Sequence, residues 1–205
     1  MDTKQATFDL YGDFTCPWVY QASLLLKRAE EAAGRPLRWT FRYFALDQVN
    51  QKNGPDWRLW EHPETPSRGL HAFRAAEAAR RQGEEAFERM RWSLMEGRHL
   101  RRKEFSEPGD MEEIARAAGL DMARFHKDVR DPAILARLAE DHTRGAKLGI
   151  FGTPTFVFEN GSAFFLRITA GDDPKDALKT WDGLHALFVS QMNIDEVKRP
   201  RPSKP

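Results

Sequence analysis

The sequence predicts an α/β fold that runs strand, helix, strand, then a long helical insertion, then strand, strand and helix. Three observations predict it. Apolar residues alternate with polar ones in Thr7–Tyr11 and again in Leu37–Tyr43. Between them, Val19, Ala22, Leu26, Ala29 and Ala33 recur at steps of three and four, the spacing of one helical face. From Asp47 to about Gly149 the chain carries helical signals and no strand signal.

The first strand is Thr7–Tyr11, with Phe8 and Leu10 on one side and Asp9 on the other. Gly34 sits where the first helix would end, because glycine tolerates the left-handed cap conformation. In the second strand Leu37, Trp39, Phe41 and Tyr43 alternate with Arg38, Thr40 and Arg42. Short connections through a helix make a right-handed parallel unit the expected arrangement. Asn53-Gly54-Pro55 and Pro63–Pro66 read as loops. Helices are expected over Ser67–Gln82 and Glu84–Arg102, with Ser106-Glu107-Pro108-Gly109 as a break. Shorter helices follow at Met111–Ala118 and after Leu120, and a last one begins at Asp131-Pro132, with Leu135, Leu138 and His142 on one face. Thr155–Phe158 is the third strand, Asn160-Gly161 a hairpin turn and Ala163–Ile168 its partner strand. Asp172-Asp173-Pro174 opens a final helix whose face is Ala177, Trp181, Leu184 and Phe188.

Lys and Arg total 32 against 31 Asp and Glu over 205 residues. That balance gives no reason to expect nucleic acid or an anionic membrane as partner. The segment Lys198–Pro205 is the exception, with four basic residues among prolines, and reads as a solvated, disordered tail. Met1–Gln5 is polar with no apolar signal core after it, and no stretch approaches the ~20 apolar residues of a membrane span. A cytoplasmic protein is expected. The one cysteine excludes an internal disulfide framework and fits a reducing compartment. The six histidines show no metal-ligand spacing, so no metal and no tightly bound cofactor are expected.

That cysteine, Cys16, stands in Phe14-Thr15-Cys16-Pro17-Trp18-Val19, between the first strand and the first helix. The unpaired N–H groups of a first helical turn, and the helix dipole, favour a thiolate there over a thiol. Pro17 suits the first helical position, where a missing N–H costs nothing. A dithiol redox motif would place a second cysteine at position 19, and this chain has Val19. The site suits thiolate chemistry but cannot close an internal disulfide.

The element order, with Asp13-Phe14-Thr15-Cys16-Pro17-Trp18 at the first helix, Ser67-Arg68-Gly69-Leu70-His71-Ala72-Phe73 opening the insertion and Gly149-Ile150-Phe151-Gly152-Thr153-Pro154 before the third strand, resembles the thioredoxin-like proteins of the DsbA superfamily. Within it the chain is most similar to the cytoplasmic FrnE-type branch. The resemblance covers about residues 7 to 190. It implies a thioredoxin-like α/β fold with a DsbA-like helical insertion domain. The expected division is a discontinuous thioredoxin-like domain over 1–46 and 149–195, the insertion over 47–148 and the tail over 196–205.

The resemblance further implies that Pro154 is a cis-proline opposite Cys16. Thr153 would offer its backbone to an extended peptide or to glutathione, as an added strand. Val19 then occupies the position of the resolving cysteine, so the departure falls on mechanism and not on folding.

Three readings stay open. The first is a monothiol oxidoreductase. Cys16 is its catalytic residue, Pro17, Trp18, Thr153 and Pro154 contact a thiol or disulfide substrate, and an external thiol such as glutathione serves as co-substrate. The second is a glutathione-dependent transferase or isomerase, similar in layout to the kappa-class transferases and hydroxychromene-carboxylate isomerases, with Asp172 and Asp173 near the γ-glutamyl end. No basic residue adjoins that pair, since Pro174 follows. The third is a redox-inactive peptide-binding module, suggested by Val19. Tyr11 and Phe14 read as core. His71 reads as a solvated or capping residue with a groove role as the alternative, and His142 as a satisfied core residue. Trp57 and Trp60 read as anchors of their loop rather than as a lid.

Overall fold

The computed structural model describes residues 7–190 and 194, so the predicted 196–205 tail lies outside the described residues. A four-stranded sheet has the order β2-β1-β3-β4, formed by β1 (Phe8–Gly12), β2 (Trp39–Tyr43), β3 (Thr155–Phe158) and β4 (Ala163–Phe165). β1 pairs parallel with β2 and antiparallel with β3, and β3 pairs antiparallel with β4. The fold is the α/β thioredoxin-like one with a helical insertion.

β1 is central and covered on both faces, which explains its near-continuous burial. Phe8 and Leu10 join the main core with α1 (Pro17–Ala33) and α8 (Pro174–Ser190). Trp181 of α8 sits 4.9 Å from the Phe8 ring, centroid to centroid. Tyr11 points the other way, to Phe44 and Ile150. There α7 (Ala136–Lys147) comes so close that a Cβ on Gly145 would lie 3.0 Å from the Tyr11 and Phe44 rings.

α7 also protects the free edge of β2. Asp141 accepts a hydrogen bond from the Tyr43 N–H at 3.2 Å, and His142 Nδ1 accepts one from the Ala45 N–H at 3.1 Å. The N–H of the last residue of the edge strand and that of Ala45 just beyond it are thereby occupied by consecutive side chains of one helix. His142 is buried and stacked on Phe44 at 4.3 Å. Burial, then the nearby Arg58 charge, lower its pKa to about 4. A histidine depressed from 6.5 contributes stability that is complete above pH 6.5 and lost as pH falls through 4, amounting to about 3 kcal/mol. His142→Asn keeps an acceptor for Ala45 without titrating there. Urea midpoints at pH 7 and pH 4 are therefore expected to fall more steeply in the wild type than in that variant.

Between β2 and β3 the described chain forms α2 (Leu46–Val49), α3 (Arg68–Arg80), α4 (Glu84–His99), α5 (Pro108–Ala117), α6 (Met122–Asp128) and α7. A 3-10 turn at Leu59–Glu61 falls where the sequence reads as loop, and α2 is a turn the sequence did not single out. Both are single turns, too short to show periodicity. The 3-10 segment Pro132–Leu135 starts the last helix of the insertion. Trp57 stacks on His62 and Trp60 packs on His142, so both anchor their loop. β4 stops at Phe165 although alternation runs to Ile168. Leu166 N–H still bonds the Pro154 carbonyl at 3.1 Å, and beyond it Gln21 of α1 takes the Ala170 N–H instead.

Candidate active site

Cys16 is the N-cap of α1 and Pro17 its first helical residue. The segment enters the helix through a tight turn closed by Cys16 N–H on the Asp13 carbonyl at 3.0 Å. Cys16 does not cap the helix with its side chain. Instead Sγ–H donates to the Thr153 carbonyl at 3.4 Å, across 137 residues of sequence. The Thr153–Pro154 peptide bond is cis. Thr153 is buried, and among the described residues its Oγ1 has no hydrogen-bond partner.

Cys16 as a residue is 6 % exposed. Around it Pro17 is exposed, and Thr15 and Trp18 are half-buried. The guanidinium of Arg167 lies over the Trp18 ring at 6.0 Å and over Phe165 at 5.4 Å. Phe151, two residues before Thr153, is 69 % exposed and 5.2 Å from Phe165. Cys16, Pro17, Trp18, Thr153 and Pro154 thus converge, with an apolar rim and one cation beside them. Val19 is fully buried. A Cβ on Gly12 would lie 2.8 Å from Val19 Cγ1 and from the Phe41 ring, so the end of β1 must be glycine for α1 to seat.

Two residues that shape the site escape the sequence patterns. Asp13 is 1 % exposed. Its Oδ1 accepts from Thr15 N at 2.8 Å and Thr15 Oγ1 at 2.7 Å, and its Oδ2 accepts from Leu46 N at 2.8 Å. Burial raises its pKa against those three hydrogen bonds. The carboxylate ties the cysteine turn to the exit of β2 and faces the start of α3, where a Cβ on Gly69 would lie 3.4 Å from Oδ2. Ser67 caps α3 and donates its hydroxyl to Asp47. His99, at the end of α4, donates through Nε2 to the Phe14 carbonyl at 3.0 Å and stacks on Tyr20. Asp13 was visible only as the first letter of the cysteine motif. His99 is 83 residues from Cys16 and carried no local signal.

The remaining candidates lie apart from this cluster. Asp172 is fully exposed and pairs with Arg28 at 3.3 Å, and Arg28 also donates to the Gly171 carbonyl. The cation missing from the local sequence therefore comes from α1. Twelve residues of helix separate Arg28 from Cys16, about 18 Å. Asp173 accepts from the Lys175 N–H at 2.8 Å and helps start α8. His71 faces a cavity of the insertion rather than belonging to the cysteine cluster.

A thiol held against a cis-proline turn at the start of the first helix, in a four-stranded sheet interrupted by helices, defines a thioredoxin-like protein of the DsbA kind. A model of the DSBA-like thioredoxin domain matches residues 7–180, and the chain belongs to that family. It is 32 % identical over 153 residues to the Na(+)/H(+) antiporter NhaA 1 of Mycolicibacterium vanbaalenii. That match takes in 74 % of this chain but 21 % of the antiporter, so the chain spans about a fifth of that relative's length. Among solved structures, a thioredoxin-like oxidoreductase from Silicibacter pomeroyi is 25 % identical, with a TM-score of 0.59 and 87 % of each chain covered. The cytosolic disulfide reductase DsbM from Pseudomonas aeruginosa, solved with GSH, shares the fold at 19 % identity, with a TM-score of 0.58, covering 87 % of this chain and 98 % of that one. No described helix is long and apolar enough to cross a membrane.

Proposed function

We propose that the protein is a cytoplasmic thiol–disulfide oxidoreductase of the FrnE type that works through Cys16 alone and relies on an external thiol for release. The observation that carries this is the Sγ of the chain's one cysteine set against the Thr153 carbonyl beside a cis-proline. The oxidoreductase from S. pomeroyi and the DsbM structure with GSH support the same chemistry.

The Cys16 thiolate attacks one sulfur of a substrate disulfide, for instance a thiol capped by glutathione. The S–S bond breaks, the substrate sulfur leaves as thiolate and takes up a proton, and a Cys16–glutathione disulfide remains. A second glutathione thiolate attacks the glutathione sulfur of that adduct. Cys16 leaves as thiolate and oxidised glutathione is released. The net exchange consumes one reduced glutathione per capped thiol, and the cap leaves as the other half of oxidised glutathione. The Thr153 backbone receives the substrate as an added strand, and Pro17 and Trp18 form the rim it crosses. Asp172 and Asp173 stand outside this scheme, because an extended tripeptide spans about 10 Å and the Arg28 anchor lies farther along α1.

Val19 is the residue that makes the scheme monothiol, so Val19→Cys tests it. The swap removes one methyl group beside Gly12 and Phe41, costing about 1 kcal/mol, and adds a second thiol one turn beyond Cys16. Oxidised glutathione is expected to leave one glutathione on the wild type but to drive the variant to an internal disulfide, read by mass with and without alkylation. An unmodified wild-type Cys16 under the same treatment would contradict the proposal and favour a binding module.

A further inference from the structure

The insertion holds a cavity of about 340 Å³ between α3, α5 and α6. Its floor is apolar and buried, formed by Phe105, Met111 and Phe125. On one side stand His71 and the half-buried Arg74 of α3.

Most arginines of these helices hold a carboxylate, whereas Arg74, like Arg89 and Arg124, bonds a backbone carbonyl. Arg80, Arg81, Arg91, Arg98 and Arg116 each hold a carboxylate. Arg74 donates Nη1 to the Val129 carbonyl at 3.1 Å, and among the described residues it meets no carboxylate. A half-buried guanidinium with spare N–H donors beside an apolar floor is placed to receive an anion in charge-assisted hydrogen bonds. Burial already pulls its pKa down. His71 is exposed at the cavity rim; partial burial and the Arg74 charge hold its pKa below the ordinary value, and its neutral ring has one N–H to offer. Glu112 also lines the cavity, but Arg116 binds it. His126 Nε2 stands 3.3 Å from Glu112 without hydrogen-bond alignment, and it is buried with no other partner among the described residues.

We propose that this cavity is a binding site for a small amphipathic monocarboxylate, with the carboxylate on Arg74 and His71 and the apolar body on Phe105, Met111 and Phe125. The volume is at the lower end of ligand pockets, about 300 Å³ upward, which suits a medium-chain or single-ring acid rather than a long lipid. The site is separate from the thiol chemistry of Cys16 and does not depend on it.

Calorimetric titration with octanoate and with octanol tests this on the unaltered protein, since the two differ only in the charged head. Octanoate is expected to bind saturably, one per chain, and octanol about tenfold more weakly or worse, the loss of a charged hydrogen bond. Arg74→Gln is expected to weaken octanoate by a similar factor, with the far-ultraviolet circular dichroism unchanged. Cys16→Ser is expected to bind octanoate as the wild type does, which keeps this test apart from that of the thiol. Equal binding of acid and alcohol, no saturable binding of octanoate, or a folded Arg74→Gln protein with wild-type affinity would each overturn the proposal.

Discussion

Cys16→Ser is expected to leave a folded protein with no thiol-exchange activity above the uncatalysed rate. The oxygen replaces sulfur at nearly the same place and can still donate to the Thr153 carbonyl, so the fold should change by less than about 1 kcal/mol. The chemistry does not survive, because a serine hydroxyl neither forms a disulfide nor stays ionised near neutral pH. Many dithiol enzymes keep partial function when one thiol is lost. Here no second sulfur stands by, since Cys16 is the only cysteine. Release of a glutathione-capped peptide, followed by coupled consumption of reduced glutathione, measures the effect. Unchanged turnover in the serine variant would remove Cys16 from the mechanism.

The largest structural effect is expected at Asp13. Asp13→Ala strips the acceptor from Leu46 N–H and from both donors of Thr15. Thr15 is half-buried and its hydroxyl can turn to water, so the Leu46 N–H carries most of the loss. An orphaned buried donor costs about 1–3 kcal/mol. Removing a buried carboxylate relieves some desolvation, which partly offsets that cost. The net expectation is about 1–2 kcal/mol in urea unfolding at neutral pH, with an unchanged denaturant slope. Activity should fall as well, because the Asp13 carbonyl closes the turn that presents Cys16. Asp13→Asn keeps one oxygen but sets an amide N–H against a donor, so it should rescue little.

The pH dependence separates the two buried groups. The pKa of Asp13 is raised by burial, so its contribution is complete below the ordinary carboxylate value and lost as pH rises through the raised one. His142 acts with the opposite sign and is lost on acidification. Stability in Asp13→Asn should therefore fall more steeply on acidification than in the wild type, while His142→Asn should flatten that fall.

Local periodicity made the frame legible. β1, α1 and β2 could be read because each carries a complete stripe or alternation, and the order of the three short motifs pointed to the fold. The cis-proline followed from the resemblance rather than from any local preference for it. What escaped the sequence was assembled over distance. His99 meets the Phe14 carbonyl from 85 residues away, and Arg28 reaches Asp172 across 144. Asp13 carried no signal of its own because its burial depends on Leu46 and the start of α3 arriving above it. β4 ended early because its partner β3 begins at Thr155, opposite Phe165, a limit that alternation cannot register.

The measurement that bears most directly on the single-thiol account is acid-quenched mass spectrometry of the wild type. The protein is mixed with a glutathione-capped peptide, then with reduced glutathione. One glutathione carried on Cys16 at early times is expected, with free peptide in equal amount and full return of the unmodified chain once reduced glutathione is added. Peptide release with no adduct on Cys16 at any time, or an adduct that reduced glutathione fails to remove, would contradict it.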